Sequence, residues 1–301
     1  MSGARVRAAA HAKLNLLLRI LAREASGFHQ IETAFTLLEL ADEITVTRMD
    51  RGVSLTVNGP DLGPADENLA VRAARAVLES TGNTFGVAIA LTKRIPIRAG
   101  LGGGSSDAAA TLHAVNALAD NAVPRHELLH FAARLGADVP FFASGAPAAL
   151  GWGRGERLYR LAALPAAPAL IAVPPVSVAT PEAYAWWDAA HSRDAARGPV
   201  VLDAEALASW GSIGRLGGND FEAVVFGKHP PIRALFERLA GTRPLWVRLA
   251  GSGSAVAAVY RTERDRDDAA EQLGNREQTL IATAIRATAA PAPQVEDGAG
   301  T

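Results

Sequence analysis

The chain has 301 residues, 49% of them hydrophobic, which is enough to bury a large core and to form two domains. Its 30 basic residues nearly balance its 31 acidic ones, and the formal net charge of -1 argues against nucleic acid or an anionic membrane as the main partner. Because the chain has no cysteine, we exclude disulfides and cysteine metal sites. It has no run of about 20 apolar residues and no signal-like apolar stretch in residues 1–12, so we expect a cytoplasmic protein.

The first half of the chain is predicted to begin with strands and to continue with helices. Residues 4–21 are typical of two short strands broken near His11, and alternating apolar residues predict further strands at 31–38, 44–48, 53–57 and 87–91. Apolar residues at helical spacing predict helices at 66–81, at 105–118 and from Pro124 to residue 135.

The second half repeats this mixture. Strands are predicted near 156–162, 169–173, 245–249, 255–260 and 279–285, and helices near 182–190, 203–209, 220–226, 231–240 and 263–273. Residues 192–199 are predicted to be a polar connector, and 288–301 a disordered tail rich in Ala, Pro, Gly and acidic residues. Few regular βαβ units favour an α+β fold, which we divide into domains at 1–155 and 156–287.

A glycine-rich run precedes the helix predicted at 105–118. It reads Gly100-Leu101-Gly102-Gly103-Gly104-Ser105-Ser106 and is followed by Asp107. Glycine allows close approach of a ligand to the backbone, and the free N–H groups of a helix N-terminus bind phosphate. The run contains no lysine and lacks the Gly-x-Gly-x-x-Gly spacing, so it is neither a P-loop nor a dinucleotide fingerprint. A purely structural glycine turn is the alternative.

Lysine is rare in this chain. It occurs only at Lys13, Lys93 and Lys228, while the other basic residues are arginine. A lysine kept in such a background is a candidate for a task that needs a compact ammonium group. For Lys228, beside His229-Pro230-Pro231, we favour a surface position without a task.

The run from Pro96 to Ala109 resembles the ATP-phosphate loop of the galactokinase, homoserine kinase, mevalonate kinase and phosphomevalonate kinase (GHMP) superfamily. Five further segments resemble motifs of this superfamily and of its 4-diphosphocytidyl-2-C-methyl-D-erythritol kinase family, and they occur in that family's order between residues 12 and 253. They are Ala12-Lys13-Leu14-Asn15-Leu16 with Gly27-Phe28-His29, Gly136-Ala137-Asp138-Val139-Pro140-Phe141 and Gly218-Asn219-Asp220-Phe221-Glu222. The last is Leu249-Ala250-Gly251-Ser252-Gly253, which resembles the third motif of the superfamily and is called the third motif below.

The resemblance implies a two-domain GHMP kinase fold with the active site in the cleft between the domains. It implies transfer of the γ-phosphoryl group of ATP to the 2-hydroxyl of 4-diphosphocytidyl-2-C-methyl-D-erythritol, a step of non-mevalonate isoprenoid biosynthesis. Two alternatives stay open, namely another small-molecule kinase of the superfamily, of homoserine or mevalonate type, and a nucleotide-binding module without catalysis. The implied partner is a small molecule, and we expect a monomer or weak homodimer.

Two residues carry the implied catalysis. Asp138 matches the position of the base that accepts the hydroxyl proton, and Lys13 matches that of its cationic partner. From local sequence alone, Asp138 is more typical of a helix N-cap or turn, and only the resemblance favours the base. Lys13 could be a lysine at the end of an apolar strand, but the scarcity of lysine and the resemblance both favour a role.

The implied substrate contacts lie on three segments. His29 can read the edge of the pyrimidine and Tyr184 can stack on it, and Phe28 stands where the family usually has a tyrosine. Asn15 can hydrogen-bond the ligand, and Gly251 and Ser252 of the third motif are assigned to the substrate. The alternatives are that His29 is a turn histidine, that Tyr184 is a half-buried core aromatic, and that the Asn15 amide hydrogen-bonds the backbone at a strand edge.

The implied ATP contacts surround the glycine-rich run. They are Asn68, Lys93, Pro96, Gly100, Leu101, Gly102, Gly103, Gly104, Ser105 and Ser106, with a hydroxyl supplied by one of the two serines. Asn68 is also typical of a helix N-cap, and Lys93 of a surface charge after a strand. Mg²⁺ is expected with ATP, but no protein ligand is assigned to it. Arg98 departs from the small residue usual in the family, and we expect it to face solvent.

Overall fold

A computed structural model describes residues 3–191, 205–216, 218–274 and 277–296. The strands are β1 (Arg5–Arg23), β2 (His29–Met49), β3 (Val53–Asn58), β4 (Gly86–Thr92), β5 (Ala148–Gly153), β6 (Arg157–Arg160), β7 (Pro168–Val173), β8 (Trp246–Leu249), β9 (Val256–Val259), β10 (Thr279–Ala284) and β11 (Gln294–Glu296). The helices are α1 (Leu69–Ser80), α2 (Gly103–Leu118), α3 (Arg125–Leu135), α4 (Val139–Ala143), α5 (Thr180–Ala190), α6 (Trp210–Leu216), α7 (Phe221–Lys228), α8 (Pro230–Gly241) and α9 (Glu263–Leu273). Two sheets in which antiparallel pairing predominates, with β3 and β4 as a parallel pair, and helices packed against them confirm the predicted α+β class.

The first sheet is built on two long antiparallel strands. Its order is β11-β1-β2-β4-β3, with β5 paired to β2 and β6 paired to β5. The prediction of two short strands in residues 4–21 is wrong, because the pairing of β1 with β2 passes through the break as a register shift between His11 and Lys13. An extra residue bends a strand without ending it, so one strand can wrap around two parts of the core. For the same reason β2 unites the two predicted strands at 31–38 and 44–48.

The helices α1 and α2 cover one face of this sheet. Small residues allow them to pack closely, since Ala73, Ala74, Ala108 and Ala109 are all buried in the same apolar cluster as Val46. The structure confirms Asn68 as the N-cap of α1, where its side chain accepts the Ala70 N–H at 2.9 Å. The start of α2 lies at Gly103, so the glycine-rich run itself forms the first turn of the helix.

The second sheet is antiparallel, with the order β10-β7-β9-β8. A core of Leu170, Trp187, Phe221 and Tyr260 joins it to the surrounding helices. The helix predicted at 203–209 is wrong within the described residues, where Ala206–Ala208 form a short 3-10 helix and α6 follows. Residues 203–204 and the connector predicted at 192–199 lie outside the described residues.

Two segments depart from the predicted ends of the domains. β6 pairs with β5, so the first sheet continues past residue 155, where we placed the domain boundary. Gln294–Glu296 form β11 against β1, so these three residues are a paired edge strand and not a disordered tail. Val295 lies opposite Val6 in this pairing. Pairing with β1 therefore gives these residues strand structure although the surrounding segment is rich in Ala, Pro, Gly and acidic residues.

β1 joins the two sheets and thereby fixes the cleft between them. The Trp246 indole N–H donates to the Leu16 carbonyl at 3.1 Å, and Leu18 bridges to Asn219. One apolar cluster contains Leu14 of β1 together with Ile171 of β7. The two sheets that form the walls of the cleft are therefore held together by an apolar cluster to which both contribute. Among the residues described, no helix has both the length and the apolar character needed to cross a membrane.

Candidate active site

One cavity of about 1730 Å³ lies in the cleft and is lined by both halves of the chain. With the exception of Ser106, every predicted site residue lines it. Ser106 is buried within the first turns of α2, with its N–H bound to the Gly102 carbonyl at 2.9 Å. Ser106 does not line the cavity, because a helix exposes only part of its surface, and its assignment to ATP stays a prediction. Ser105 lines the cavity and is the serine whose hydroxyl can reach a ligand.

The glycine-rich run is folded tightly against the third motif. Gly100 has φ +79°, and a Cβ there would lie 1.8 Å from the Ala250 carbonyl oxygen. Gly102 has φ +74°, and a Cβ there would meet Phe142 at 2.9 Å and Lys13 at 3.0 Å. These two positions require glycine for conformation and space. Gly104 does not, since the nearest atom to an added Cβ is 4.0 Å away.

Lys13 and Asp138 meet at the opening of this run. The Lys13 Nζ lies 3.4 Å from Asp138 Oδ2 and donates to Asn15 Oδ1 at 2.6 Å. The Lys13 side chain is 5% exposed and that of Asp138 is 29% exposed. The Lys13 backbone N–H also donates to the Leu101 carbonyl at 3.0 Å, so the strand that carries the lysine is tied directly to the glycine-rich run.

The side chain of Asp138 does not cap the helix that follows it. It precedes α4 but makes no side-chain capping bond, in contrast to Asn68 at the start of α1. Its negative charge contributes, after burial, to raising the pKa of Tyr184 to about 12. A carboxylate that points toward a lysine and a cavity instead of its own helix is available for chemistry.

Lys93 is held by two buried carboxylates. Its ammonium pairs with Asp42 and with Asp107, the latter at 2.8 Å, and its side chain is only 4% exposed. Asp42 also accepts the Ile95 N–H at 2.8 Å. Burial and then the neighbouring Asp42 raise the pKa of Asp107 to about 7, against the opposing effect of Lys93. The alternative of a surface charge is therefore wrong for Lys93, whereas Lys228 is exposed as expected.

The predicted pyrimidine contacts form an aromatic group that lines the same cavity. His29 and Tyr184 are stacked, with ring centroids 4.3 Å apart and an interplanar angle of 14°. Phe28 is 55% exposed, and the Arg154 guanidinium lies 3.8 Å from its ring centroid. One face of Tyr184 is thus used by His29, and a flat ligand can meet only the remaining aromatic surface.

The third motif is fastened by residues from α5 and from the segment before α7. Asn219 donates to the Gly251 carbonyl at 2.6 Å and to the Leu249 carbonyl at 3.0 Å. The hydroxyls of Ser252 and Thr180 lie 2.9 Å apart. Gly251 and Ser252 are therefore placed rigidly beside Lys13 and the glycine-rich run.

Several cavity residues were missed by the sequence analysis. Asp107 was within the quoted loop but received no role, and Arg154 follows the first sheet's β5. Thr180 and Asp188 lie on α5, far along the chain from the residues that they contact. No local signal could have found the last two. Arg98 has φ +53°, is exposed and lines the cavity, so its predicted solvent-facing role stays a prediction.

Comparison with known proteins identifies the family. Residues 68–146 match the family model described as GHMP kinases N terminal domain, and 203–278 match that described as GHMP kinases C terminal. The 4-diphosphocytidyl-2-C-methyl-D-erythritol kinase of Solibacter usitatus (strain Ellin6076) is 39% identical over 87% of this chain and 84% of the relative. The chain belongs to the 4-diphosphocytidyl-2-C-methyl-D-erythritol kinase family. The protein of the same name from Moorella thermoacetica is 40% identical over 83% of this chain and 88% of its own.

Solved structures agree with this family and its fold. A crystal structure of 4-(cytidine 5'-diphospho)-2C-methyl-D-erythritol kinase is 37% identical, with TM-score 0.78 over 93% of this chain and 98% of the other. Methanococcus jannaschii mevalonate kinase, at 13% identity and TM-score 0.69 over 95% and 99% of the two chains, shares the fold alone. This member of the 4-diphosphocytidyl-2-C-methyl-D-erythritol kinase family is a small-molecule kinase with the two-domain GHMP kinase fold.

The start of α2 supplies backbone donors of the kind that bind the phosphates of ATP, the nucleotide used by GHMP kinases. Glycines without Cβ atoms and the unpaired N–H groups of the first turn of α2 provide donors suited to phosphate oxygens. Within the described part of the chain, no group of three or more His, Cys, Asp or Glu side chains is placed to hold a metal ion. Mg²⁺ in such a site would take most of its ligands from the nucleotide phosphates and water.

Proposed function

We propose that this kinase transfers the γ-phosphoryl group of ATP to the 2-hydroxyl of 4-diphosphocytidyl-2-C-methyl-D-erythritol, in non-mevalonate isoprenoid biosynthesis. The observation that carries the proposal is the Lys13–Asp138 pair, whose charged atoms lie 3.4 Å apart. This pair lines the same cavity as the glycine-rich run and the aromatic group of Phe28, His29 and Tyr184. The names of the relatives support the same substrate.

In the proposed reaction Asp138 is the base. Its carboxylate accepts the proton of the substrate hydroxyl as the oxygen attacks the γ-phosphorus, and the bond from that phosphorus to the bridging oxygen of ADP breaks. Lys13 orients Asp138 through their ion pair and stabilises the negative charge that develops on the attacking oxygen and the phosphoryl oxygens. The bond from Lys13 to Asn15, which in turn donates to Thr33, holds the ammonium in place.

ATP would be held by the backbone of the glycine-rich run. The N–H groups at the start of α2 and the Ser105 hydroxyl would bind the phosphates, with Asn68, Lys93 and Pro96 toward the nucleoside. Mg²⁺ would neutralise phosphate charge when bound with ATP. The buried pairing of Lys93 with Asp42 and Asp107 suggests that Lys93 acts mainly by fixing the first turns of α2 beneath the nucleotide.

Another GHMP kinase activity and a non-catalytic module are less well supported. The likeness to mevalonate kinase, at 13% identity, concerns the fold and not the substrate. Homoserine and mevalonate have no aromatic base, whereas this cavity continues from Asp138 to His29 and Tyr184. A module that only bound nucleotide would not need the Lys13–Asp138 pair.

Substrate choice is tested by measuring ATP consumption with three acceptors, 4-diphosphocytidyl-2-C-methyl-D-erythritol, homoserine and mevalonate. We expect turnover with the first alone, and phosphorus NMR of the product should place the new phosphate on the 2-hydroxyl. No turnover with the first acceptor, or faster turnover with either of the others, would contradict the proposal.

The role of the base is tested with Asp138→Asn, which keeps the shape of the side chain and removes its basicity. We expect kcat to fall by about 10²–10⁴-fold while KM for ATP stays within about twofold, since Asp138 is not part of the glycine-rich run. The control Asp268→Asn makes the same change on the exposed face of α9, at a side chain 58% exposed, and should leave kcat unchanged. An unchanged kcat in Asp138→Asn would remove Asp138 as the base.

The division of labour between the domains is also a proposal. The predicted ATP contacts all lie in residues 1–155, but the predicted substrate contacts come from both domains, with His29 in the first and Tyr184 in the second. The near-zero net charge supports an enzyme that acts on a small molecule without a nucleic acid partner, and we expect it to be cytoplasmic. We retain a monomer or weak homodimer as the expected state.

A further inference from the structure

Asp188 connects the predicted pyrimidine contacts to a second charged residue. From α5, its Oδ1 lies 2.7 Å from His29 Nε2, and its Oδ2 lies 3.3 Å from Arg23 Nη1. All three residues line the cavity, together with Tyr184, which is stacked on the His29 ring. The Asp188 side chain is 22% exposed, and that of His29 is 5% exposed. The family motif that contains His29 does not include Asp188, which lies 159 residues further along the chain.

This contact determines where the His29 ring carries its proton. A carboxylate can only accept hydrogen bonds, so the bond to Asp188 requires the proton on Nε2. In the neutral ring Nδ1 is then an acceptor. Among the described residues, the hydrogen bond recorded for the His29 ring is the one between Nε2 and Asp188.

The stacking of Tyr184 limits the motion of the ring. Tyr184 is stacked on the ring at 4.3 Å, Trp187 meets it edge-on at 6.0 Å, and Asp188 binds Nε2, so Nδ1 is the ring nitrogen left for a ligand. An acceptor at that edge suits the exocyclic amino group of cytosine, which donates hydrogen bonds. Uracil has a carbonyl oxygen at the same position, which would face the Nδ1 lone pair.

We propose that Asp188 is a positioning residue that makes the site specific for cytosine over uracil, by holding the His29 proton on Nε2. The inference rests on the proposed function, because it takes the base of that substrate to lie against Phe28, His29 and Tyr184. Specificity arises from an attractive contact with the amino group and a repulsive one with the carbonyl. Asp188 itself need not touch the base.

The test measures binding of CDP and UDP by isothermal titration calorimetry, with the ATP site saturated by a non-hydrolysable ATP analogue. Wild-type protein should bind CDP more tightly than UDP by about tenfold to a hundredfold, the range expected when a buried polar group loses its partner. In Asp188→Asn the amide can donate to Nε2 as well as accept from it, so this ratio should fall at least tenfold. Asp188→Glu keeps a carboxylate and should retain most of the preference, and the Asp268→Asn control should retain all of it.

Nitrogen-15 NMR of the wild-type imidazole resonances, assigned with His29→Ala, provides a readout independent of any Asp188 variant. We expect His29 to carry its proton on Nε2 in the wild type and to lose this preference in Asp188→Asn. A proton on Nδ1 in the wild type overturns the inference, even if Asp188→Asn does not fold. An unchanged CDP-to-UDP ratio in a folded Asp188→Asn, shown by an unchanged KM for ATP, also overturns it.

The outcomes separate this inference from the proposed function. A preference for CDP that depends on Asp188, without turnover of the diphosphocytidyl substrate, would support the inference and contradict the proposed reaction. Turnover of that substrate with no change of base preference in Asp188→Asn would contradict the inference alone.

Discussion

Two alanine substitutions within the glycine-rich run should have opposite effects on stability. Gly100→Ala places a Cβ 1.8 Å from the Ala250 carbonyl oxygen and 2.6 Å from its carbon, at a residue with φ +79°. These are backbone atoms of the third motif, so no side-chain rotation can relieve the overlap. Gly104→Ala lies in the first turn of α2, and its Cβ would have only Leu69 Cδ1 nearby, at 4.0 Å.

The magnitudes follow from these contacts. A left-handed alanine costs about 1–2 kcal/mol, and forcing apart a packed contact costs about 1–3 kcal/mol more, so Gly100→Ala should lose about 2–5 kcal/mol of unfolding free energy. At about 2–4 °C per kcal/mol, its Tm should fall by about 4–20 °C. Gly104→Ala replaces glycine by the best helix former and should keep its Tm or gain up to about 1 kcal/mol of stability.

Calorimetry and steady-state kinetics together check the reasoning. If phosphates lie against the backbone of this run, the added methyl of Gly104→Ala should raise KM for ATP about tenfold while the fold is intact. A Tm of Gly100→Ala equal to wild type would refute the close approach to Ala250. An unchanged KM in Gly104→Ala would refute contact between ATP and that turn, and the run would then be a structural glycine turn.

Three further predictions concern charged and polar groups of the site. Lys13→Met should lower kcat by about 10²–10³-fold with little change in KM for ATP, because it removes the ammonium beside Asp138; a kcat within threefold of wild type would exclude an electrostatic role. His29→Ala should raise KM for the diphosphocytidyl substrate by about tenfold to a hundredfold, and an equal rise for ATP would instead indicate misfolding. The pKa of Asp107 is raised to about 7, so its contribution to stability is present below about pH 4 and is lost as pH rises through 7. The unfolding free energy of Asp107→Asn relative to wild type should therefore increase between pH 4 and 8, and a constant difference in thermal melts across that range would contradict the raised pKa.

Most of the site could be predicted because its residues are carried by short motifs. The glycine-rich run, Lys13, Asp138 and the Phe28-His29 pair each lie in a local pattern whose residue types fit a chemical task. The structure places all of them on one cavity. Asp138 could not be separated from a capping aspartate by sequence alone, because capping depends on where the side chain points. The missing capping bond and the contact with Lys13 make that distinction.

The sequence by itself determined the α+β class and predicted phosphate binding by the glycine-rich run, since both depend on local spacing and residue type. The catalytic candidates needed, in addition, the resemblance to the family. Only the tertiary structure decided that Ser106 is buried, that Lys93 is held by Asp42 and that Asp188 binds His29. Each of these depends on contacts between distant segments, 51 residues apart for Lys93 and Asp42 and 159 for His29 and Asp188. Such contacts form because packing of the two sheets around β1 brings the segments together, and neither composition nor periodicity records that packing.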